Sequence, residues 1–305
     1  MKYASLIYST SSNLGDQIQS LAMEQFLPSI DAKFDRDYLS EVTNKEKHLL
    51  IMQGWFSHFP DKCFPPSDTI TPVFFGFHIT DWNESIEYFL KPLSVDYLKQ
   101  HEPIGCRDKK TMEMLIEKGV DAFHSKCLTL TFPKRLKEPK QGKVFVVDVE
   151  KEILPEIISR NAVYISHIVN PIWGEEIKSL MAIKLLNLYR ENASLVITKR
   201  LHCALPCIAM GIPVIFFGDA NDYRVSIIKD LGLPIYPLPD KNKKNIPKNT
   251  SRFPFFRNVG KYNKKIINSS INDINWNPLA IDFEKEKSII IEKVKDRIES
   301  VINDI

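Results

Sequence analysis

The period of the hydrophobic pattern changes along the chain, and each change marks an element. An apolar run at 3–8 gives way to polar residues at 9–13, after which Ile18, Leu21, Ala22 and Phe26 recur at spacings of three and four. That order predicts a strand, a loop and an amphipathic helix. Residues 49–52 and 73–77 are short continuous apolar runs, as in strands buried on both faces. Helical spacing follows over about 84–100 and 108–118, the second stopped by Gly119, and residues 128–132 predict a strand ended by Pro133.

The charged, non-periodic stretch 134–143 reads as a linker. Beyond it, apolar strands at 144–149, 162–166, 194–198 and 214–217 alternate with helical patterns near 151–160, 174–191, 202–210 and 223–231. Strands separated by helices pack as a parallel, doubly wound sheet. The predicted fold is therefore α/β, with two doubly wound, Rossmann-like domains at 1–135 and 142–240 facing a cleft. A third region, 241–305, holds an irregular segment and a closing helix near 283–303 with the stripe Ile290, Val294, Ile298, Val301 and Ile305. In open α/β sheets ligands bind beyond the carboxyl ends of the strands, so the loops there are the candidate site.

Composition narrows the classes. A chain of 305 residues that is 44% hydrophobic and 26% charged is neither disordered nor fibrous. Its formal charge of +3 argues against a dedicated nucleic-acid binder. Residues 241–271, however, carry nine basic side chains and no acidic one, leaving the remainder net acidic. Such a segment suits a diphosphate-linked lipid acceptor or an anionic membrane surface, at about 1 kcal/mol per basic residue. A solvated loop is the plainer alternative. The five cysteines form no C-x-x-C pair, and the most apolar stretch, 203–217, is too short to span a bilayer. With no signal-peptide pattern at the amino terminus, the expectation is a cytoplasmic protein, at most peripheral to the inner face of the membrane.

Candidate chemistry collects in the loops. The strand ending at Thr198 runs into Lys199, Arg200, Leu201 and His202, and a helix begins within those residues. Helix N–H groups and dipole favour an anion there, Arg adds a fork for phosphate or carboxylate, and His can move a proton near neutral pH. The alternative is a solvated basic turn. One strand earlier His167 stands at the corresponding edge, and the two histidines are expected on adjacent strands. In the first half, Asn13, Gly15 and Asp16 open the first helix without a dinucleotide or P-loop fingerprint. Arg107 precedes another helix and can reach a cleft anion, or form a surface pair with Asp108. Trp55, His58, His78 and Trp82 belong to an aromatic region suited either to stacking sugars or to filling a core.

Several of these stretches resemble one family. They are residues 13–16 (Asn-Leu-Gly-Asp), Arg107-Asp108 with Thr111, Leu115 and Gly119, residues 127–131, residues 193–202 with their Arg200-Leu201-His202, and residues 209–214. Together, over about 3–235, they resemble the polysaccharide pyruvyltransferase family. The resemblance implies a fold like that of the two-domain GT-B glycosyltransferases. It also implies transfer of pyruvate from phosphoenolpyruvate to two sugar hydroxyls, with no metal or cofactor in the scheme. It assigns Arg107, Arg200 and Leu201, with Lys199 as a departure from the usual small residue, to the donor. His202 becomes the acid, with Asp16 or His167 as base or acceptor orienter. Asn13, Gly15, Trp55, His58 and His78 fall on the acceptor side. A nucleotide-sugar glycosyltransferase and a non-catalytic glycan-binding subunit are the alternatives.

Overall fold

A computed structural model describes residues 1–56, 59–238 and 273–304, so that His58 and the basic stretch 241–271 lie outside the described residues. The first sheet contains β1 (Lys2–Ile7), β2 (Ala32–Asp35), β3 (His48–Trp55), β4 (Ile70–His78), β5 (Ile104–Cys106) and β6 (Ala122–His124). All are parallel, in the order β2-β1-β3-β4-β5-β6. The central strands β3 and β4 are buried along almost their whole length, which is why they read as unbroken apolar runs. The helices of this half are α1 (Leu14–Glu24), α2 (Pro60–Cys63), α3 (Asn83–Phe89), α4 (Pro92–Lys99) and α5 (Lys109–Glu117).

The second sheet contains β7 (Lys143–Val147), β8 (Val163–Ile165), β9 (Ala193–Thr198), β10 (Val214–Phe217) and β11 (Ile235–Tyr236), again all parallel, ordered β11-β10-β9-β7-β8. Its helices are α6 (Glu156–Ser159), α7 (Glu175–Asn192), α8 (Leu201–Ala209) and α9 (Ser226–Asp230), and α10 (Glu284–Asn303) closes the chain. Alternate side chains enter two cores. Phe145, Val147, Val196 and Phe216 join the main core, while Val146, Ile197, Ile215 and Phe217 face Ile153, Leu154 and Ile274. Helices and turns thus cover both faces, the arrangement of a doubly wound sheet.

Five expectations change. Residues 128–131 form a buried 3-10 turn, not a strand. Lys126, with φ of 63°, turns the chain out of the sheet, and the run packs on α1, α8 and α10 instead. The helix expected over 84–100 is broken at Pro92, which starts α4 at a position where its missing N–H costs nothing. The pattern at 151–160 becomes a 3-10 turn at Lys151–Ile153 and the single-turn α6, separated by Pro155. Likewise 223–231 is a 3-10 turn at Tyr223–Val225 followed by α9. Finally, β7 lies between β8 and β9, so His167 and His202 follow strands that are not adjacent.

The two sheets meet through α1, α7 and α8, and one hydrophobic core runs continuously across the junction. Their loops also pair. Asn13 and Ile168 form an antiparallel bridge, with Leu14 N donating to His167 O (2.9 Å) and Val169 N to Ser12 O (2.8 Å). Beside them Lys178, 0% exposed, reaches from α7 to the end of β1. Its Nζ donates to Ser9 O (3.0 Å), Tyr8 O (3.4 Å) and Glu175 Oε1 (3.1 Å). Glu175 Oε2 in turn accepts from Tyr8 N (3.3 Å) and Gln17 Nε2 (3.2 Å). Helix α10 buries Lys287, Ile290, Val294 and Ile298 against β4 and the 128–131 turn, and Lys287 Nζ bonds Ala209 O at the end of α8 (2.7 Å).

Removing one partner of a buried ion pair leaves the other charge desolvated, at about 3–5 kcal/mol. Lys178→Ala is expected to lower the unfolding free energy by about 3 kcal/mol in denaturant titration. Adding Glu175→Gln is expected to return part of that loss. Equal stability of Lys178→Ala and the parent would show that the sheets are held by the apolar seam alone.

Candidate active site

The carboxyl edge of the first sheet is organised by a carboxylate. Asp108 caps the amino end of α5, its Oδ1 accepting from Thr111 N at 2.9 Å. Its Oδ2 accepts from Thr111 Oγ1 (3.2 Å) and from Nδ1 of His78, the last residue of β4 (2.6 Å). Arg107 is tied to the same edge through its backbone, N to Phe77 O at 2.8 Å. Asp108, Arg107 and His78 are all buried, so the expected alternative of an exposed Arg–Asp surface pair does not hold. The short β5 enters the sheet beside β4 and carries the following residues inward with it.

A second carboxylate organises the other sheet. Asp148, following β7, adopts a left-handed conformation (φ 55°), tolerated by Asp better than by most residues. It accepts from Ser166 Oγ (2.6 Å), His167 N (3.1 Å) and Arg200 Nε (2.7 Å). The Nε contact leaves the two terminal nitrogens of Arg200 without a hydrogen bond among the described residues. Lys199 Nζ lies 3.4 Å from Glu150. His167 is fully buried, with Nε2 2.9 Å from Tyr189 OH.

His202 sits in the first turn of α8 but not in helical conformation, with φ −82° and ψ 17°. Pro206 stands four residues later. It has no N–H for the His202 carbonyl, and its ring crowds that carbonyl, so the first turn opens at the histidine. Gly15 explains how the two halves approach. A Cβ there would lie 3.2 Å from His202 Cβ and 3.1 Å from Asn13 Oδ1, so the start of α1 lies almost directly against the start of α8.

At this junction Nε of Arg107, Nε2 of His78, Nδ1 of His167 and Nε2 of His202 are buried without a hydrogen-bond partner among the described residues, as are Arg36 Nη1 and Arg297 Nε elsewhere. Buried polar atoms without a partner are uncommon in folded proteins, and four gathered in one place call for an explanation. The groups also interact electrostatically. Burial pushes the His202 imidazole well below its usual pKa, and Arg107, His167 and His78 add to the effect. Burial and then Arg107 lower His78 to about 4, against the opposing pull of Asp108. Burial raises the Asp108 carboxyl, but the hydrogen bond from His78, the charges of His78 and Arg107 and the Thr111 N–H together hold it below its usual range. A cation beside the His78 and His202 imidazoles, which burial holds below their usual pKa, is chemistry for an anion that also exchanges protons.

The structure therefore brings together Asn13, Gly15, Arg107, His78, His167 and His202, with Lys199, Arg200 and Leu201 on the same edge of the second sheet. Asp16 and Trp55 belong to a neighbouring cluster. Asp16 accepts from Ser11 Oγ (2.5 Å) and Gln19 Nε2 (3.3 Å), and it acts electrostatically on the buried Arg36. The Arg36 guanidinium lies between the rings of Tyr8 (5.0 Å) and Trp55 (5.2 Å), and Trp82 meets Trp55 edge to face at 5.5 Å. Sequence reading did not single out Arg36, Asp148 or Tyr223; Thr111 and Asp108 entered it only as parts of a family-like segment, and Asp108 also as a surface partner of Arg107. One available signal was a polar residue directly after an apolar run, as at Asp148. Among the described residues no His, Cys, Asp and Glu cluster suits a metal ion, and no helix is long and apolar enough to cross a membrane.

Two parallel α/β sheets thus meet in a basic, histidine-lined junction at their carboxyl edges. The profile of one family, polysaccharide pyruvyl transferase, matches residues 13–221. The chain belongs to that family, as the resemblance of its Asn13–Asp16 and Arg200–His202 segments anticipated. Membership makes it a transferase whose substrate classes are a pyruvyl donor and a polysaccharide acceptor. Among solved structures it is similar to a functionally uncharacterised protein of Klebsiella pneumoniae subsp. pneumoniae. The two are 14% identical over 74% of this chain and 88% of that one, with a TM-score of 0.45. No curated protein matches the chain.

The lowered His78 pKa fixes a pH dependence. The unfolded chain binds this proton near pH 6.5, whereas the folded one resists it until about 4. Stability from this group is therefore complete above 6.5 and is lost as pH falls toward 4, by roughly 3 kcal/mol. Denaturant midpoints across that range are expected to fall for the parent and to fall less for His78→Gln. Parallel pH curves would remove the assignment.

Proposed function

We propose that the chain transfers pyruvate from phosphoenolpyruvate onto two hydroxyls of one sugar, in a cell-surface polysaccharide or its lipid-linked precursor. The products are a cyclic ketal and phosphate. The reading is carried by the four buried, unpartnered nitrogens of Arg107, His78, His167 and His202, gathered from both sheets in a chain of this family. The architecture proposed is GT-B-like, with domains at 1–135 and 142–240 whose carboxyl edges face a cleft.

Phosphoenolpyruvate carries a carboxylate and a phosphate on one small frame, and so requires several cations at short range. Arg107, the terminal nitrogens of Arg200, Lys199 and the N–H groups at Leu201 and His202 supply them. His202 protonates the methylene carbon, and the neighbouring carbon becomes an oxocarbenium-like electrophile. A sugar hydroxyl attacks it, phosphate leaves, and the second hydroxyl closes the ketal. Arg107 suppresses the charge on His202 in the free protein. A multiply charged donor beside Arg107 reverses that influence, so donor binding itself loads the acid with its proton.

The acceptor lies on the side of Asn13, Gly15, His78 and Trp55, with His58 from the residues outside the description, and Asp16 or His167 orients it or serves as base. The reaction belongs on the cytoplasmic side, with residues 241–271 meeting a diphosphate-linked lipid or anionic membrane surface.

A positioned acid contributes about 100- to 10,000-fold in rate. His202→Ala is expected to slow phosphate release from phosphoenolpyruvate by that factor with an unchanged melting temperature. Near-parental turnover would remove His202 from the acid role. Polysaccharide from a strain lacking this chain is expected, by mass spectrometry, to lack one pyruvyl ketal per repeat; an unchanged ketal content would overturn the reaction itself.

A further inference from the structure

The transfer needs a group to take the proton of the attacking hydroxyl, and the hydrogen-bond network around one histidine fits that task. Asp108 is surrounded by donors: Thr111 N on Oδ1, and Thr111 Oγ1 with His78 Nδ1 on Oδ2. Thr111 Oγ1 accepts from Ile79 N at 3.2 Å and so has its own proton to give to Asp108. The network thereby fixes the tautomer. His78 carries its proton on Nδ1, and Nε2 presents a lone pair.

That Nε2 is buried and has no hydrogen-bond partner among the described residues. The Tyr223 ring covers the imidazole at 5.4 Å, and its hydroxyl donates to Ile79 O at 2.5 Å. Tyr223 comes from the loop after β10, so the second sheet contributes to the pocket around a residue of the first. Arg107 and His202 complete the surroundings, each within electrostatic reach.

The other two candidates are differently placed. Asp16 accepts hydrogen bonds from Ser11 and Gln19. His167 has Tyr189 OH on one ring nitrogen, and Asp148 touches its backbone N–H, not its ring. Among the described histidines, His78 alone combines a carboxylate on one ring nitrogen with a bare second nitrogen.

We infer that His78 is the general base of the transfer and that Asp108 is its positioning residue, an inference that rests on the pyruvyl-transfer reading above. As the hydroxyl oxygen bonds to the central carbon of the pyruvyl group, its O–H bond breaks and the proton passes to His78 Nε2. The electron pair of that bond stays with the oxygen, which forms the new C–O bond. The bond from that carbon to the phosphate oxygen then breaks, its pair leaving on phosphate, and the second hydroxyl adds in the same way. Of the two hydroxyl protons released, one replaces the proton that His202 gave to the methylene carbon and the other leaves with phosphate. Asp108, 2.6 Å from Nδ1, stabilises the imidazolium formed in each attack. Asp16 and His167 are left to orient the acceptor.

The experiment uses the full chain, phosphoenolpyruvate and, as acceptor, polysaccharide from a strain lacking this protein. Phosphate release gives kcat, and calorimetry gives the phosphoenolpyruvate Kd. His78→Ala is expected to keep that Kd within about threefold while kcat falls about 100- to 10,000-fold, with part of the rate restored by added imidazole. Asp108→Asn is expected to lower kcat more than it changes KM. Should His78→Ala fail to fold, His78→Gln, whose amide can still donate to Asp108, carries the test with the same expected loss. Either His78 variant keeping kcat within tenfold of the parent would overturn the inference, as would a loss of donor affinity as large as the loss of rate. An active parent with an active variant sinks the base assignment alone. A parent that binds no phosphoenolpyruvate and releases no phosphate sinks the pyruvyl-transfer reading as well.

Discussion

The buried ammonium of Lys178 is the constraint on which the rest of the molecule depends. It lies where the first strand of one sheet ends against the long helix of the other, and it satisfies backbone carbonyls that would otherwise be stranded between them. Glu175 beside it does the same for a backbone N–H and a buried glutamine. A seam of apolar side chains alone would leave these polar ends desolvated and would tolerate sliding. The ion pair, together with the paired loops at 12–14 and 167–169, fixes one register. Gly15 then lies against His202, and the two carboxyl edges share a single wall.

Each edge is built on the same device. A short strand, β5 or β7, delivers an aspartate just past its end, and that aspartate orients a basic side chain: Asp108 holds His78, Asp148 holds Arg200. The partners differ in a way that matters for the chemistry. Asp148 takes Arg200 by its Nε and leaves the guanidinium tip open. Asp108 takes the histidine by Nδ1 and leaves a lone pair. One edge thereby leaves a guanidinium tip open and the other an imidazole lone pair, while burial, helped by Arg107, holds the His78 and His202 imidazoles below their usual pKa.

Much of this was legible in the residues. The long apolar runs gave β3, β4, β9 and β10, and helical spacing gave α1, α7 and α10, because burial on both faces or along one stripe leaves a period that tertiary contacts do not override. Strands β2, β5, β6 and β11, of two to four residues, are too short to show a period. Residues 128–131 misled because an apolar, threonine-containing run packs equally well as a buried turn. Arg200, His202 and Arg107 were legible from their places beside strand ends. The pairing of His78 with Asp108 was not, since 30 residues separate them and only the β4–β5 neighbour relation brings them together. Arg36 was invisible for a similar reason. An arginine between two acids reads as surface, and its burial between Tyr8 and Trp55 is a property of the folded sheet.

Helix α10 carries a consequence for how the chain is made. It is the last described element to leave the ribosome, yet its stripe covers β4 and its Lys287 stoppers the end of α8. Until it emerges, the nascent first half exposes an apolar strip on its central sheet, and the carbonyl of Ala209 lacks its cation. The two carboxyl edges cannot meet before β9 and α8 exist. The junction of the two edges is therefore assembled late in synthesis, and chains that stop short present a sticky surface for quality control before they present that junction.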